Sequence, residues 1–403
     1  MQKIFIKTFG CTLNQKDSEE ITKNIAIETK IENITKKDKL IVNTCGVKEQ
    51  TQTKIINFLK KIKKKVSEKN IYVCGCLVDI DILSIKEVLP NAKYFKVKEI
   101  KKLQKEIRTV KKIKTKQKKT EIIIISNGCL GNCAYCAVKF ARGKLKSKPI
   151  NKILKEINSA LKNGAKEILL TSQDNACYGF DINTNIVELL KEITKIKKEF
   201  KIRNGMGNPQ YIKLFLKELI QIYKNEKIYK FLHIPIQSGN NKVLKEMNRY
   251  YTIEEVEYII QEFRKEIPDI TIATDIIVGY PTEDNDQFID TLKFIKKIKP
   301  KIINISRFGQ RKNIEANKYV DLKGNIKKQR SREITKICEK IVYEENKKYI
   351  GKTLDVFINQ KGKNNTFTGR TNNYITVVTK NKCTLYKMKK LKIKNCSTYY
   401  LIA

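Results

Sequence analysis

The chain has 403 residues, 84 Lys and Arg against 42 Asp and Glu, a formal charge of +42 and 41% hydrophobic residues. That length suits two or three domains rather than one small core, and no apolar run reaches the roughly 18 residues of a membrane span. Eleven cysteines stand beside a single histidine, His233, so a metal site must rely mainly on thiolates.

The opening MQKIFIKTFGC lacks the charged, then apolar, then small-residue order of a secretory signal. The chain therefore reads as cytosolic, where cysteines are not a disulfide framework. To about residue 100, short apolar runs alternate with helical patterns. KIFIKTF, KLIVNTC and IYVCGC read as buried parallel strands, separated by helix-like stretches such as QTQTKIINFLKKIKKKV. Cys11, Cys45 and Cys76 each fall at the carboxyl end of one of these strands, so three thiolates distant in sequence can meet at one sheet edge. Three such ligands suit a 4Fe–4S cluster with one open iron. Cys74 rivals Cys76, because residues two apart in a strand share a face. The basic stretch 101–120 has no apolar periodicity and reads as a linker or an exposed helix.

From 121 onward the alternation is regular. The strand candidates are EIIIIS, KEILLTS, FKIRNG, KFLHIPI, TIATDIIVG and KIINISR. Amphipathic segments such as INKILKEINSALKNGA, NIVELLKEITKIKKEF, IKLFLKELIQIYKNE and FIDTLKFIKKIK lie between them. Six βα repeats imply a parallel sheet wrapped by helices, a full or partial β/α barrel, with functional residues at the carboxyl ends of its strands. Directly after the first strand comes NGCLGNCAYCAVKFARGKLKS, which spaces Cys129, Cys133 and Cys136 as C-x3-C-x2-C. Three thiolates in one tight loop can bind three irons of a cubane and leave the fourth open to chelate S-adenosylmethionine (SAM). Zinc is the alternative, but it normally takes a fourth Cys or His nearby, and the next cysteine is Cys177. Gln173 and Asp174 close the second strand, and Gln237 and Ser238 the fourth, so these polar groups are expected to face SAM at the barrel mouth. Arg249 in MNRYY is either a bidentate partner of the SAM carboxylate or one more surface arginine. Cys177, Cys338, Cys383 and Cys396 read as ordinary buried or surface thiols.

A charged helical stretch near 326–348 leads into short strands: TLDVFINQ, TFTGRT, YITVVTK and LKIKN. They suggest a small all-β barrel, in which Arg370, Tyr374, Tyr386 and the lysines suit phosphate contacts and base stacking. The net charge has two readings. It attracts a polyanion, or it reflects a chain saturated with Lys, Ile and Asn.

Along nearly its whole length the chain resembles the radical-SAM methylthiotransferases. FARGKLKS, LTSQDNACYG, PIQSGNNKVLKEMNR, TDIIVGYPTE and NISRFGQR are most similar to the archaeal and eukaryotic members that act on threonylcarbamoyladenosine in tRNA. The resemblance implies an α/β architecture in three parts: an N-terminal methylthiotransferase domain at 1–100, a radical-SAM partial (β/α)6 barrel at 121–345, and a TRAM-like RNA-binding β-barrel at 346–403. It implies two 4Fe–4S clusters and SAM as cofactors. The implied partners are a tRNA anticodon stem-loop, an electron donor and a sulfur donor, with no membrane. It selects Cys76, which follows Gly75, over Cys74. It assigns Asp275, Gly279 and Glu283 to the segment near the adenine, and Tyr135 to backbone contacts with it. Thr282 stands where the family has a small residue. After Arg307 and Phe308 the chain reads GQRKNIEANK in place of a proline-containing phrase, so family contacts of Arg311 do not carry over.

The implied reaction replaces the C2 hydrogen of an adenosine next to the anticodon by S–CH3, with one SAM methylating a cluster-held sulfur and a second supplying the radical. That C–H bond has no useful acidity, which fits a site of cysteines rather than a His or carboxylate dyad. The alternatives are the same chemistry on isopentenyladenosine or a ribosomal protein, a non-catalytic iron–sulfur RNA-binding protein, and an electron-transfer protein.

Overall fold

The structure, a computed structural model, describes residues 2–23, 25–28, 30–107 and 118–403. It contains two compact units. The first joins the N-terminal residues to Asn127–Lys146 and Gly309–Lys318, and the second comprises Lys118–Ser126, Ser147–Phe308 and Tyr319–Ala403.

In the first unit, strands Ile4–Thr8, Lys39–Thr44, Ile71–Gly75 and Lys93–Phe95 form a parallel sheet in that order. Leu40, Val42, Ile71 and Val73 pack on one face with Ile55 and Leu59, whereas Ile41, Tyr72 and Cys74 pack on the other with Phe95, Leu103 and Ile107. A sheet buried on both faces needs near-continuous apolar strands, which is why these runs show no polar alternation. Helix Glu49–Ile62 covers the first face through Ile55, Leu59 and Ile62, one stripe at helical spacing. The basic stretch differs from a plain linker. It opens within helix Ile100–Ile107, whose Leu103 and Ile107 are buried, while 108–117 lie outside the described residues. The loop carrying Cys129, Cys133 and Cys136 belongs to this first unit.

The second unit has six parallel barrel strands. Thr120–Ile124, Glu167–Thr171 and Lys201–Arg203 pair in order, as do Phe231–His233, Thr271–Val278 and Ile302–Arg307. A bridge between Ile202 and Ile228 joins the two triplets into one arc. Helices Ile150–Lys162, Ile186–Thr194, Leu216–Tyr223 and Asn285–Ile298 follow the expected alternation. Two further helices, Asn241–Glu246 and Ile253–Glu266, fill the segment between the fourth and fifth strands. The second begins with a capping box in which Thr252 and Glu255 bond each other's backbone N–H.

Helix Gly324–Lys347 buries Arg330, Ile334 and Cys338 and leads to a six-stranded C-terminal sheet. That sheet closes over Val356, Ile358, Val377, Leu391 and Leu401. Its later strands differ from the sequence pattern. Met388–Lys392 is the pairing segment, and Leu401–Ile402 returns to lie parallel to Thr376–Thr379. Among the described residues no helix is long and apolar enough to cross a membrane.

Candidate metal centres and the SAM site

At the carboxyl edge of the N-terminal sheet the first three strands lie side by side, and each is followed by a cysteine. Thr44 pairs with Gly75, so Cys45 and Cys76 leave neighbouring strands at the same level. Cys11 is exposed and caps helix Thr12–Ile21, directly after Gly10. Gly10 passes so close to Cys45 that a Cβ there would lie 2.6 Å from the Cys45 Cβ and 2.8 Å from its Sγ. Cys76 opens helix Cys76–Ile80 behind Gly75, whose φ of +91° favours glycine. Cys74, two residues before Cys76, is 1% exposed within the apolar layer of Ile41, Tyr72 and Phe95. The left-handed glycine thus separates two cysteines that strand spacing would place on one face.

Burial pushes the Cys45 thiol up to about 12, and the nearby Cys11 and Cys76 thiols add to it. Cys76 is raised for the same first reason, against the pull of the Arg142 guanidinium. Arg142 is linked to the triad through a buried network. It donates to Asp17 at 2.5 Å and to Asn14 Oδ1 at 3.0 Å, and the Cys76 thiol donates to the same oxygen at 3.8 Å. Asn14 in turn donates to the Phe9 and Thr44 carbonyls, tying the segments before Cys11 and Cys45 together. Arg311 also lies in this unit. Its guanidinium feels Glu49, Asp81 and Cys45, so the departing loop does bring it toward the N-terminal cysteines.

In the second loop, the Cys129 and Cys133 sulfurs lie 3.4 and 3.6 Å from where a Cβ on Gly131 would sit. The Gly131 N–H donates to Cys129 Sγ at 3.2 Å. Burial pushes Cys136 up to about 12, with Cys133 and Cys129 close enough to contribute. Tyr135 sits half-buried in the same turn. Among the described residues none of these cysteines forms a disulfide. A thiol buried beside other thiols resists ionisation unless a cation compensates the charge, and iron supplies that charge. Both donor sets fit thiolate-ligated clusters.

In the barrel unit, Asp174 is 2% exposed, and its Oδ1 accepts from the Ala176 and Asn208 N–H groups at 3.0 and 3.1 Å. Burial lifts its carboxyl to about 6, with those N–H groups and Arg249 opposing the shift. The neighbouring Gln173 keeps Oε1 buried without a hydrogen-bond partner, a vacancy that suits a polar ligand. Gln237 adopts φ +76° while its backbone bridges to Asp275 and Ile277. Strain of this kind collects at functional sites. Arg249 is buried rather than on the surface, and donates to the Pro235 carbonyl and the Tyr251 hydroxyl, each at 2.8 Å. Asp275 contacts His233 Nε2 at 2.8 Å, a pairing that the sequence pattern did not expose.

Other expected residues turn inward. Ser238 is fully buried, its hydroxyl 3.5 Å from that of Thr291. Glu283 accepts from the Gly279 N–H and from Arg330, both at 2.7 Å, and so ties the fifth-strand loop to the long helix. Burial still leaves its carboxyl raised despite those two donors. Tyr374 is not a free stacking platform. It packs against Tyr229 and Phe231 at 4.8 and 4.9 Å, with the Arg370 guanidinium 4.6 Å over its ring.

Three family models match the chain: the Radical SAM superfamily at residues 123–295, Uncharacterized protein family UPF0004 at 3–96, and the TRAM domain at 347–403. An Archaeoglobus fulgidus protein described as "Probable threonylcarbamoyladenosine tRNA methylthiotransferase" is 38% identical, over 99% of this chain and 98% of its own. The human threonylcarbamoyladenosine tRNA methylthiotransferase is 30% identical over all of this chain and 73% of its own length. Among solved structures, the radical SAM methyltransferase TsrM from Kitasatospora setae superposes with a TM-score of 0.57 at 10% identity, covering 78% of this chain and 75% of that one. The last of these is a likeness of fold alone. The end-to-end match to archaeal and human relatives decides the family, and the chain belongs to the threonylcarbamoyladenosine tRNA methylthiotransferases.

Proposed function

We propose that this protein replaces the C2 hydrogen of threonylcarbamoyladenosine, beside the anticodon of a tRNA, with a methylthio group. The observation that carries the reading is the pair of cysteine triads, Cys11, Cys45 and Cys76 with Cys129, Cys133 and Cys136, within one compact unit of a chain similar end to end to such enzymes. Cys129, Cys133 and Cys136 hold the cluster that takes SAM, and Cys11, Cys45 and Cys76 hold the second. When bound, the first group supplies one-electron cleavage of SAM, able to open an unactivated C–H bond, and the second supplies an iron at which sulfur can be held.

The remaining roles fall to side chains. Gln173 Oε1 takes a donor from SAM, and Asp174 is held in place for it by the Asn208 and Ala176 N–H groups. Arg249 contributes positive charge from inside the barrel, with Gln237 and Asp275 nearby on adjoining strands. Gly279 and Ser238 shape the adenine side by packing, and Glu283 keeps Oε1 for a ligand while its Oε2 accepts from Gly279 and Arg330. Tyr135 offers backbone contacts. The C-terminal β-domain, 346–403, binds the anticodon stem-loop, the 1–100 region carries the second cluster and the 121–345 region the SAM chemistry, and an electron donor and a sulfur donor in the cytoplasm complete the cycle.

The experiment is mass spectrometry of tRNA nucleosides from a host lacking this modification, with and without the gene. A 2-methylthio-threonylcarbamoyladenosine peak that disappears with Cys133→Ala is the expected result. No methylthio nucleoside, from protein that holds both clusters and cleaves SAM, would move the substrate elsewhere.

A further inference from the structure

Arg142 ends the short helix Val138–Arg142, on the same loop as the second cysteine triad, yet its contacts reach the first. Its side chain is 2% exposed and that of its ion-pair partner Asp17 9%. The guanidinium and the Cys76 thiol both donate to Asn14 Oδ1, at 3.0 and 3.8 Å, which holds the cation beside the Cys76 sulfur. Its Nε is buried without a hydrogen-bond partner. A buried ion pair is a weak device for stability, because desolvation offsets the attraction and an apolar filling does as well. The pair needs another reason to be there, and the sulfur it faces supplies one.

Asp17 and Asn14 fix the guanidinium in one orientation, and Asn14 also holds the Phe9 and Thr44 carbonyls. The cation is therefore anchored to the segments that present Cys11, Cys45 and Cys76. Hydrogen bonds to ligand sulfur and local charge set the potential of an iron–sulfur cluster, since reduction adds negative charge that a nearby cation stabilises. Asp17 acts in the opposite sense on the same centre. Other charged groups near the triad are Arg311, with Glu49 and the Lys312-paired Asp81 beside it, close to Cys45, and Asp79, which interacts with Arg142.

We propose that Arg142 is a positioning residue for the N-terminal iron–sulfur centre: held by Asp17 and Asn14, it orients Cys76 and raises the reduction potential of the cluster on Cys11, Cys45 and Cys76. This rests on the reading of that triad as a cluster site. It makes the loop of the SAM-binding cysteines a direct contributor to the electronics of the other centre.

The test uses the full-length chain carrying C129A, C133A and C136A, reconstituted anaerobically with iron and sulfide, so that the N-terminal cluster alone gives the EPR signal. Its midpoint is measured by redox titration in this background and after adding R142Q, R142K or D17N. The expected result is a downward shift with R142Q, a smaller one with R142K, and an upward shift with D17N. Loosened packing would not give opposite signs for removal of opposite charges. If R142Q does not retain iron, the signs of R142K and D17N decide in the same way. Equal midpoints in every variant that keeps its cluster overturn the proposal. A background that binds no iron, where the unmutated chain binds it, overturns the cluster reading of the N-terminal triad and this inference with it.

Discussion

Cys74 and Cys76 are separated only by Gly75 and have opposite surroundings, which makes them a sharp test of the ligand assignment. Cys74 lies in an apolar layer, and burial holds its thiol neutral. Cys76 faces Asn14, Arg142 and the other two thiols. Cys76→Ala is expected to lower iron per chain by one cluster's share, with the second cluster retained. Cys74→Ala should leave the iron count unchanged and cost about 1 kcal/mol of stability through the small void it opens. Iron analysis and chemical denaturation of the two variants separate these outcomes, and a reversed pattern would exchange the two residues' roles. The same reasoning orders the polar residues of the barrel. Gln173 Oε1 and Glu283 Oε1 are each buried with no hydrogen-bond partner and can serve a ligand, whereas Glu283 Oε2 is spent on Arg330 and Gly279 and the Ser238 hydroxyl lies against Thr291.

Elements, more than single residues, place the cysteines, and here a glycine at a strand end is decisive. A Cβ on Gly75 would lie 2.3 Å from both Asn43 Oδ1 and the Thr44 carbonyl, at a φ of +91°. Gly75→Ala must therefore move the turn between strand Ile71–Gly75 and helix Cys76–Ile80, at a cost of roughly 1–3 kcal/mol. The variant is expected to fold with a lower denaturation midpoint and to lose N-terminal iron while keeping the other cluster. Much of this architecture was legible in the sequence. Parallel strands buried on both faces appear as unbroken apolar runs, and the rule that sites gather at their carboxyl ends picked out Cys11, Cys45 and Gln173. Helices Asn241–Glu246 and Ile253–Glu266 were not picked out, because the loop MNRYYT interrupts their periodicity. Arg142 and Asp17 were illegible for a different reason. They lie 125 residues apart, and an ion pair leaves no spacing signature. Nor could the strand-end rule foresee that the left-handed Gln237 turns Ser238 into the core.

At the scale of the molecule, an excess of +42 is felt first as self-repulsion. A cavity of about 360 Å³ is lined by Arg264, Lys299, Lys301, Lys348 and Lys352 against Asp269 and Glu345. Burial there holds the Lys301 ammonium down to about 8. The unfolded chain then binds that proton more tightly, so stability rises with pH between about 8 and the ordinary 10.5. Lys301→Met should raise the melting midpoint at pH 7.5, with the gain shrinking toward pH 10.5. The larger question is whether the charge is a binding surface or only composition, and salt dependence can answer it. Lys191, Lys195 and Lys293 sit 2.9, 2.6 and 3.5 Å from Glu188, Glu192 and Asp290, so their charge is locally neutralised. Lys361, Lys363 and Lys392 are exposed in the C-terminal domain. Each phosphate contact on RNA contributes roughly 0.7–0.9 to the slope of log K against log salt. Changing Lys361, Lys363 and Lys392 together to Gln should lower that slope by about one to two for an anticodon stem-loop, while the same change at Lys191, Lys195 and Lys293 leaves it alone. Fluorescence anisotropy between low and physiological salt measures both. Equal losses from the two triplets would mean that the field is diffuse and that the C-terminal domain has no privileged hold on the RNA.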